Sequence, residues 1–148
     1  MVEGAAIGYS RGLITAMNAH PKGQALEGVS VLVVEDDPDV LEVFDVFLTY
    51  AGATVRATAN AEEAVEVCKA APPAVLLTDL VLRTGPDGLW LLEQVRALPG
   101  RRIPVIAVTG RMMPKDRETI RAAGFDAHLF KPVDLDEVAD LIRTLIGR

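Results

Sequence analysis

Carboxylate side chains stand directly after two apolar, strand-like runs of the sequence. Glu35 and Asp36 follow the run 31–34, and Asp79 follows the run 75–78. In a parallel α/β sheet the carboxyl ends of the strands meet at one edge, where such folds bind ligands. Clustered carboxylates repel one another unless a cation offsets their charge, and Mg²⁺ takes oxygen ligands of this kind together with phosphate oxygens. These residues therefore predict a magnesium site at one edge of a sheet.

A hydroxyl and an ammonium group follow two further apolar runs. Thr109-Gly110 comes after the run 105–108, and Lys131-Pro132 comes after the run 128–130. An aspartate such as Asp79 can attack phosphorus to give an acyl phosphate. Thr109 and the Gly110 amide would then hydrogen-bond a phosphoryl oxygen, and Lys131 would pair with the phosphoryl group as a point charge. Pro132 also allows a cis peptide bond after Lys131.

Each of these residues has an ordinary structural explanation when it is considered alone. An aspartate after a strand is commonly a turn or cap residue, and an acidic helix start is favoured by the helix dipole. A threonine or lysine at a strand end commonly faces solvent. Glu35 and Asp36 fit that explanation less well, because both precede the expected helix cap at Asp37. The combination of the four segments favours phosphoryl chemistry with Asp79 as the acceptor.

Strand and helix patterns alternate five times from residue 29 onward. Apolar runs of this kind suit parallel strands that are covered on both faces, and the helices between them imply right-handed crossovers in a doubly wound sheet. Caps, prolines and glycines bound the helices. The expected strands are 29–34, 54–58, 74–78, 103–108 and 127–130, and the expected helices are 38–51, 61–70, 88–98, 114–123 and 135–146.

Composition limits the class of protein. The 148 residues are half apolar, about a quarter charged, and carry a net charge of −6, which argues against direct nucleic-acid binding. No apolar run is long enough for a membrane span and no secretory signal is present, so we expect a cytoplasmic protein without membrane contact. The single cysteine, Cys68, allows no internal disulfide. We expect residues 1–27 to form a flexible or loosely docked extension and residues 28–148 to form the functional domain.

The motifs in residues 28–148 resemble, in order and spacing, the receiver domain of two-component response regulators. The resemblance implies a flavodoxin-like α/β fold, a five-stranded parallel sheet in the order 2-1-3-4-5 with five helices. It implies that Asp79 takes a phosphoryl group from a histidine kinase or a histidine phosphotransfer protein, with Mg²⁺ as the required cofactor. We expect Asp36 and Asp79 to bind the metal directly, Glu35 to bind mostly through water, and the backbone carbonyl of Val81 to complete the set.

The sequence departs from the common pattern of this family at three places. The loop 82–88 after the acceptor is one residue longer than its commonest form and lacks the usual Met-Pro. His128 occupies the switch position that usually holds Tyr or Phe and would move together with Thr109. Val81 and Arg111 flank the place of the hydrolytic water. Val81 cannot orient that water, so we expect slow self-dephosphorylation, with a half-life of minutes or longer.

Three alternative interpretations stay open at this point. The chain would also fit a receiver module of a hybrid sensor histidine kinase, or a docking module that works without phosphorylation. A phosphatase of the haloacid-dehalogenase type would need an acid/base aspartate two residues after the nucleophile, and Val81 stands there. We expect no enzyme activity beyond self-phosphorylation and self-dephosphorylation. Because the fifth helix ends the sequence, we expect no output domain, action by docking to a downstream protein, and a monomer or weak dimer.

Overall fold

Strands and helices alternate along the part of the chain that the computed structural model describes, residues 24–110 and 114–148. We number these elements in chain order. The strands are β1 (Ser30–Val34), β2 (Thr54–Thr58), β3 (Val75–Asp79), β4 (Val105–Thr109) and β5 (Ala127–Phe130). The helices are α1 (Pro38–Tyr50), α2 (Ala61–Ala70), α3 (Gly88–Arg96), α4 (Pro114–Ala123) and α5 (Leu135–Leu145).

The five strands form one parallel sheet in the order β2-β1-β3-β4-β5, which confirms the predicted topology. Every residue of β3 and β4 is buried, because helices cover both faces of the sheet. Alternate strand residues point to opposite faces. One face packs against α1 and α5, and the other packs against α2, α3 and α4.

Side-chain caps begin four of the helices where the sequence predicted. The carboxylate or amide oxygen of each cap accepts a hydrogen bond from a backbone N–H of the first turn, which otherwise lacks a partner within the helix. These caps are Asp37, Asn60, Asp87 and Asp134. The start of each following helix is therefore fixed locally by its own sequence.

Several element ends differ from the predicted ones by one or two residues. Helix α3 ends at Arg96 rather than at residue 98, because the Leu98 N–H bonds to the Val95 carbonyl in a tighter turn. Pro99 then prevents any continuation. Strand β4 begins at Val105 rather than at residue 103, because Pro104 has no N–H to give to the ladder.

The packed core includes residues that precede β1. Leu26 is fully buried, and its N–H donates to the Ala51 carbonyl at 2.8 Å. Residues 1–23, which hold most of the expected N-terminal extension, lie outside the described residues. Cys68 is buried in α2, and burial raises the pKa of its thiol to about 11. None of the helices described is both long enough and apolar enough to cross a membrane.

A charged cluster ties α3 to the start of β5. The Asp126 carboxylate accepts hydrogen bonds from Arg96 at 2.9 Å, from Arg102 at 2.7 Å and from the Val105 N–H at 2.7 Å. Burial alone would raise the pKa of Asp126, but these hydrogen bonds and the Arg102 charge outweigh it, so the pKa is lowered. The ionised carboxylate is therefore part of the folded structure.

We predict that Asp126→Asn lowers the free energy of unfolding at neutral pH by about 1.5–3 kcal/mol, the range for hydrogen bonds to charged groups. A carboxylate with a lowered pKa stabilises the fold above its unfolded pKa, about 3.9, and this stabilisation is lost as the pH falls through the folded pKa. Urea unfolding at several pH values measures the effect. The difference from wild type should shrink in acid, whereas the exposed control Asp45→Asn should show little difference at any pH.

Candidate phosphoryl-acceptor site

Three carboxylates converge at the carboxyl edge of the sheet. Glu35 and Asp36 follow β1, and Asp79 is the last residue of the neighbouring strand β3. One carboxylate oxygen from each residue lies within 4.8 Å of the other two. Glu35 is 2% exposed, Asp79 is 9% exposed and Asp36 is half-buried. The structure thus brings together the three carboxylates that the sequence placed at one edge.

The Lys131 ammonium lies between two of these carboxylates. Its Nζ atom is 2.7 Å from Glu35 Oε1 and 2.8 Å from Asp79 Oδ2. Lys131 directly follows β5, and its N–H donates to the Thr109 carbonyl at 2.8 Å, which holds the residue beside the end of β4. The Lys131–Pro132 bond is cis. The Lys131 ammonium therefore joins Glu35, which follows β1, and Asp79, which ends β3, to the edge strand β5.

Burial and hydrogen bonds at this edge raise the pKa values of both Glu35 and Lys131. Burial raises the pKa of the Glu35 carboxyl, and it outweighs the hydrogen bonds from Lys131 and from the Asp37 N–H that act in the other direction. Burial would lower the pKa of the Lys131 ammonium, but its hydrogen bonds to Asp79 and Glu35 outweigh burial, so this pKa is raised. The lysine is therefore held in its charged form.

Backbone N–H groups of the loop after β3 contact two of the carboxylates. The Val81 N–H donates to Asp79 Oδ1 at 3.1 Å, and the Arg83 N–H donates to Asp36 Oδ2. Leu82, which lies between them, is buried and packs in the core. The side chain of Val81 is instead turned outward, so that the residue is 56% exposed. The loop is thus fixed to the site through its backbone, and the Arg83 contact had no signal in the sequence.

Gly88 lets the start of α3 approach the acceptor strand closely. A Cβ atom at this position would lie 2.5 Å from the Asp79 carbonyl oxygen and 3.0 Å from the Leu80 Cα. The Gly88 N–H also donates to the Leu80 carbonyl at 3.0 Å. The sequence predicted residue 88 only as the start of a helix, and the close approach of Gly88 to the Asp79 backbone had no signal in it.

The remaining predicted site residues that the structure describes lie in β4, in β5 or directly after β4. Thr109 is the last residue of β4 and is 1% exposed. The next residue, Gly110, is exposed. Arg111 lies outside the described residues. His128 is half-buried in β5, with its ring edge-on to Phe130 at 5.2 Å between centroids. The guanidinium of Arg117 in α4 stands 5.2 Å from the same Phe130 ring, which links α4 to β5.

The net charge of the cluster fits a divalent cation. Three carboxylates and one ammonium sum to −2 when all are ionised (−3 + 1). All the side-chain ligands are oxygen atoms, as Mg²⁺ prefers. Glu35, Asp36 and Asp79 therefore offer a divalent cation three oxygen ligands that lie within 4.8 Å of one another.

With this geometry in view, comparison with known proteins identifies the family. Residues 31–143 match the response regulator receiver domain, and the chain belongs to that family. Response regulator Rre1 of Synechocystis is 35% identical over a match that covers 82% of this chain. The same match covers only 53% of the length of Rre1. DivK of Brucella anthropi, a polar-differentiation response regulator, is 31% identical over 80% of this chain and 96% of its own length.

Solved structures of receiver domains share the fold. The receiver domain of a sensor histidine kinase from Pseudomonas aeruginosa superimposes with a TM-score of 0.75. It is 31% identical, and the match covers 82% of this chain and 99% of that domain. That structure is described with a magnesium ion in its active-site cleft. The acidic cluster of Glu35, Asp36 and Asp79 resembles such a magnesium site.

We predict that Lys131→Met destabilises the metal-free protein by about 2–4 kcal/mol, because it leaves two largely buried carboxylates without their cation. Chemical unfolding with and without Mg²⁺ measures the effect. Mg²⁺ should restore part of the lost stability, since it can neutralise the same carboxylates. The control Lys69→Met removes an exposed lysine that pairs with Glu66 on the surface, and it should change stability little. Equal effects of the two substitutions would contradict the compensating role of Lys131.

Proposed function

We propose that this chain accepts a phosphoryl group on Asp79 from a histidine kinase or a histidine phosphotransfer protein. We further propose that the reaction requires Mg²⁺ and that the chain then signals by docking to another protein. The supporting observation is the contact of Lys131 with both Glu35 and Asp79 at the edge where Asp36 also lies. Membership of the receiver family supports the same assignment.

The chemistry at Asp79 needs no general base. A carboxylate oxygen of Asp79 forms the new bond to phosphorus while the bond from phosphorus to the donor imidazole nitrogen breaks, and the imidazole leaves with that electron pair. The Val81 N–H and the Lys131 ammonium, at 3.1 and 2.8 Å from its two oxygens, fix the orientation of the carboxylate. Catalysis would then consist mainly of positioning and charge neutralisation.

The residues around Asp79 have distinct roles in this proposal. Glu35, Asp36, Asp79 and the Val81 carbonyl would hold Mg²⁺, which supplies positive charge for the phosphoryl oxygens. Lys131 would pair with the transferred group, and the Thr109 hydroxyl with the Gly110 amide would hydrogen-bond it. Thr109 and His128 would form the switch that reports phosphorylation to the surface of α4, β5 and α5.

The site argues against turnover of small phosphate esters. A phosphatase that uses an aspartyl phosphate would place an acid/base carboxylate two residues after the nucleophile, but Val81 stands there and faces outward. We therefore propose that the chain has only self-phosphorylation and self-dephosphorylation activity. Relatives of single-domain length such as DivK support a stand-alone regulator, and the receiver domain of the Pseudomonas kinase supports a module of a larger kinase. We favour the stand-alone form, acting in the cytoplasm.

We predict that intact-mass measurement after incubation with acetyl phosphate and Mg²⁺ shows one added phosphoryl group on the wild type. Asp79→Asn should gain none, because an amide cannot form the acyl phosphate. Asp39→Asn, an exposed aspartate in the first turn of α1, is the matched control and should react like the wild type. Chelation of Mg²⁺ should suppress the gain.

Other outcomes would assign the chain differently. A gain on Asp79→Asn would move the acceptor elsewhere. The absence of any gain on folded wild type, with acetyl phosphate and also with a phosphohistidine donor, would indicate a docking module that works without phosphorylation. In that case wild type and Asp79→Asn should bind partners identically.

We predict that the aspartyl phosphate has a half-life of minutes or longer in Mg²⁺ buffer. The apolar side chain of Val81 offers no hydrogen bond to a hydrolytic water beside Asp79. Val81→Asn should shorten the half-life, because its amide can orient that water. Val46→Asn changes another exposed valine, on α1, and should leave the decay unchanged. Decay of the wild type within seconds would contradict this prediction.

A further inference from the structure

An open cleft lies at the amino edge of the sheet, opposite to the carboxyl edge that holds Asp79. Its lining includes Val29 and Pro104, which directly precede β1 and β4, and Leu145 and Ile146 at the end of α5. The volume of the cleft is about 410 Å³. This volume is within the range of small-ligand sites, but the cleft is not closed over.

Three arginines lie beside these apolar residues. Arg101, Arg102 and Arg148 line the cleft, and all three are exposed. Among the lining residues that the structure describes, none has an acidic side chain. A concentration of positive charge is unexpected on a chain whose net charge is −6. Cationic side chains therefore outnumber acidic ones around this cleft.

Two of these arginines are positioned by carbonyl oxygens, and neither forms an ion pair with an acidic side chain in the part of the chain that the structure describes. Arg101 Nη2 donates to the Pro73 carbonyl at 3.2 Å, and Arg148 Nη1 donates to the Glu27 carbonyl at 2.7 Å. A carbonyl oxygen orients a guanidinium group but carries no net charge to cancel it. The Glu27 carboxylate is directed to Gly52, where its Oε2 would lie 2.8 Å from an added Cβ. Arg102, in contrast, is paired with Asp126 at 2.7 Å.

We propose that this cleft binds an extended acidic segment of a partner protein. Carboxylates of the segment would pair with Arg101 and Arg148, whose planar guanidinium groups match carboxylates in two-point contacts. An apolar side chain between those carboxylates would cover the half-buried side chains of Pro104, Leu145 and Ile146. An open cleft with a charged rim suits a peptide, because a small molecule would leave much of its surface in water. The surface is separate from Asp79, so this interaction does not depend on phosphorylation chemistry.

The test uses fluorescence anisotropy of a labelled peptide of alternating glutamate and leucine with the full chain. We expect saturable binding that weakens about fivefold in Arg101→Gln and in Arg148→Gln, at the upper end for a single exposed ion pair. Arg56→Gln changes an exposed arginine on β2 and should leave binding unchanged, as should Asp79→Asn. Peptides of alternating glutamate and serine, or of lysine and leucine, should bind more weakly.

Several results would overturn this assignment. Equal binding by wild type and by the Arg101→Gln, Arg148→Gln double variant, with unchanged thermal unfolding, would remove the cleft as the site. Equal affinity for the glutamate–serine peptide, together with full displacement by inorganic phosphate, would replace the peptide with a small-anion site. Concentration-dependent self-association abolished by the same two substitutions would assign the cleft to a second copy of the chain.

Discussion

The site depends on one electrostatic constraint, the burial of carboxylates at the end of a sheet. Glu35 and Asp79 are almost excluded from water, and burial penalises their charged forms. The Lys131 ammonium, within 2.8 Å of both, compensates part of that penalty. One cation cannot balance three carboxylates, so the folded protein keeps a residual charge of about −2 at this edge when Asp36 is included. A divalent cation would offset this remaining negative charge.

Sheet topology is what makes this compensation available. The residues that meet at the site are separated by 96 positions in the case of Lys131 and Glu35, and by 52 in the case of Lys131 and Asp79. Parallel strands place all their carboxyl ends at one edge, and the order β2-β1-β3-β4-β5 sets β1, β3 and β4 side by side. The bond from the Lys131 N–H to the Thr109 carbonyl extends the β4–β5 pairing just far enough to bring the lysine beside Asp79. Lys131 therefore reaches the carboxylates from the position directly after β5.

Much of the fold could be predicted because its signals are local. Apolar runs define the strands, and side-chain caps such as Asn60 and Asp134 define helix starts within a few residues. The positions of Glu35, Asp79 and Lys131 at strand ends were readable for the same reason. Contacts between a backbone group and a residue far away in the sequence could not be predicted. No local pattern distinguishes an Arg83 N–H that reaches Asp36, or a Gly88 that must lack Cβ because the Asp79 carbonyl lies 2.5 Å away. The contact of Leu26 with Ala51 is of this kind too, because its N–H donates to a carbonyl that lies 25 positions further along the chain.

Charge is distributed unevenly between the two edges of the sheet, and this distribution has a physical consequence for both proposed functions. The carboxyl edge holds excess negative charge, although its proposed substrate group is itself an anion. Among the described residues the Lys131 ammonium contacts these carboxylates, and together with a divalent ion it would bring the three of them to neutrality over the few ångströms at which phosphoryl transfer would occur. At the amino edge, the cationic side chains of Arg101 and Arg148 are exposed beside the cleft. A partner with both a basic and an acidic region would be attracted to opposite ends of the domain, and its orientation would be set before any close contact forms.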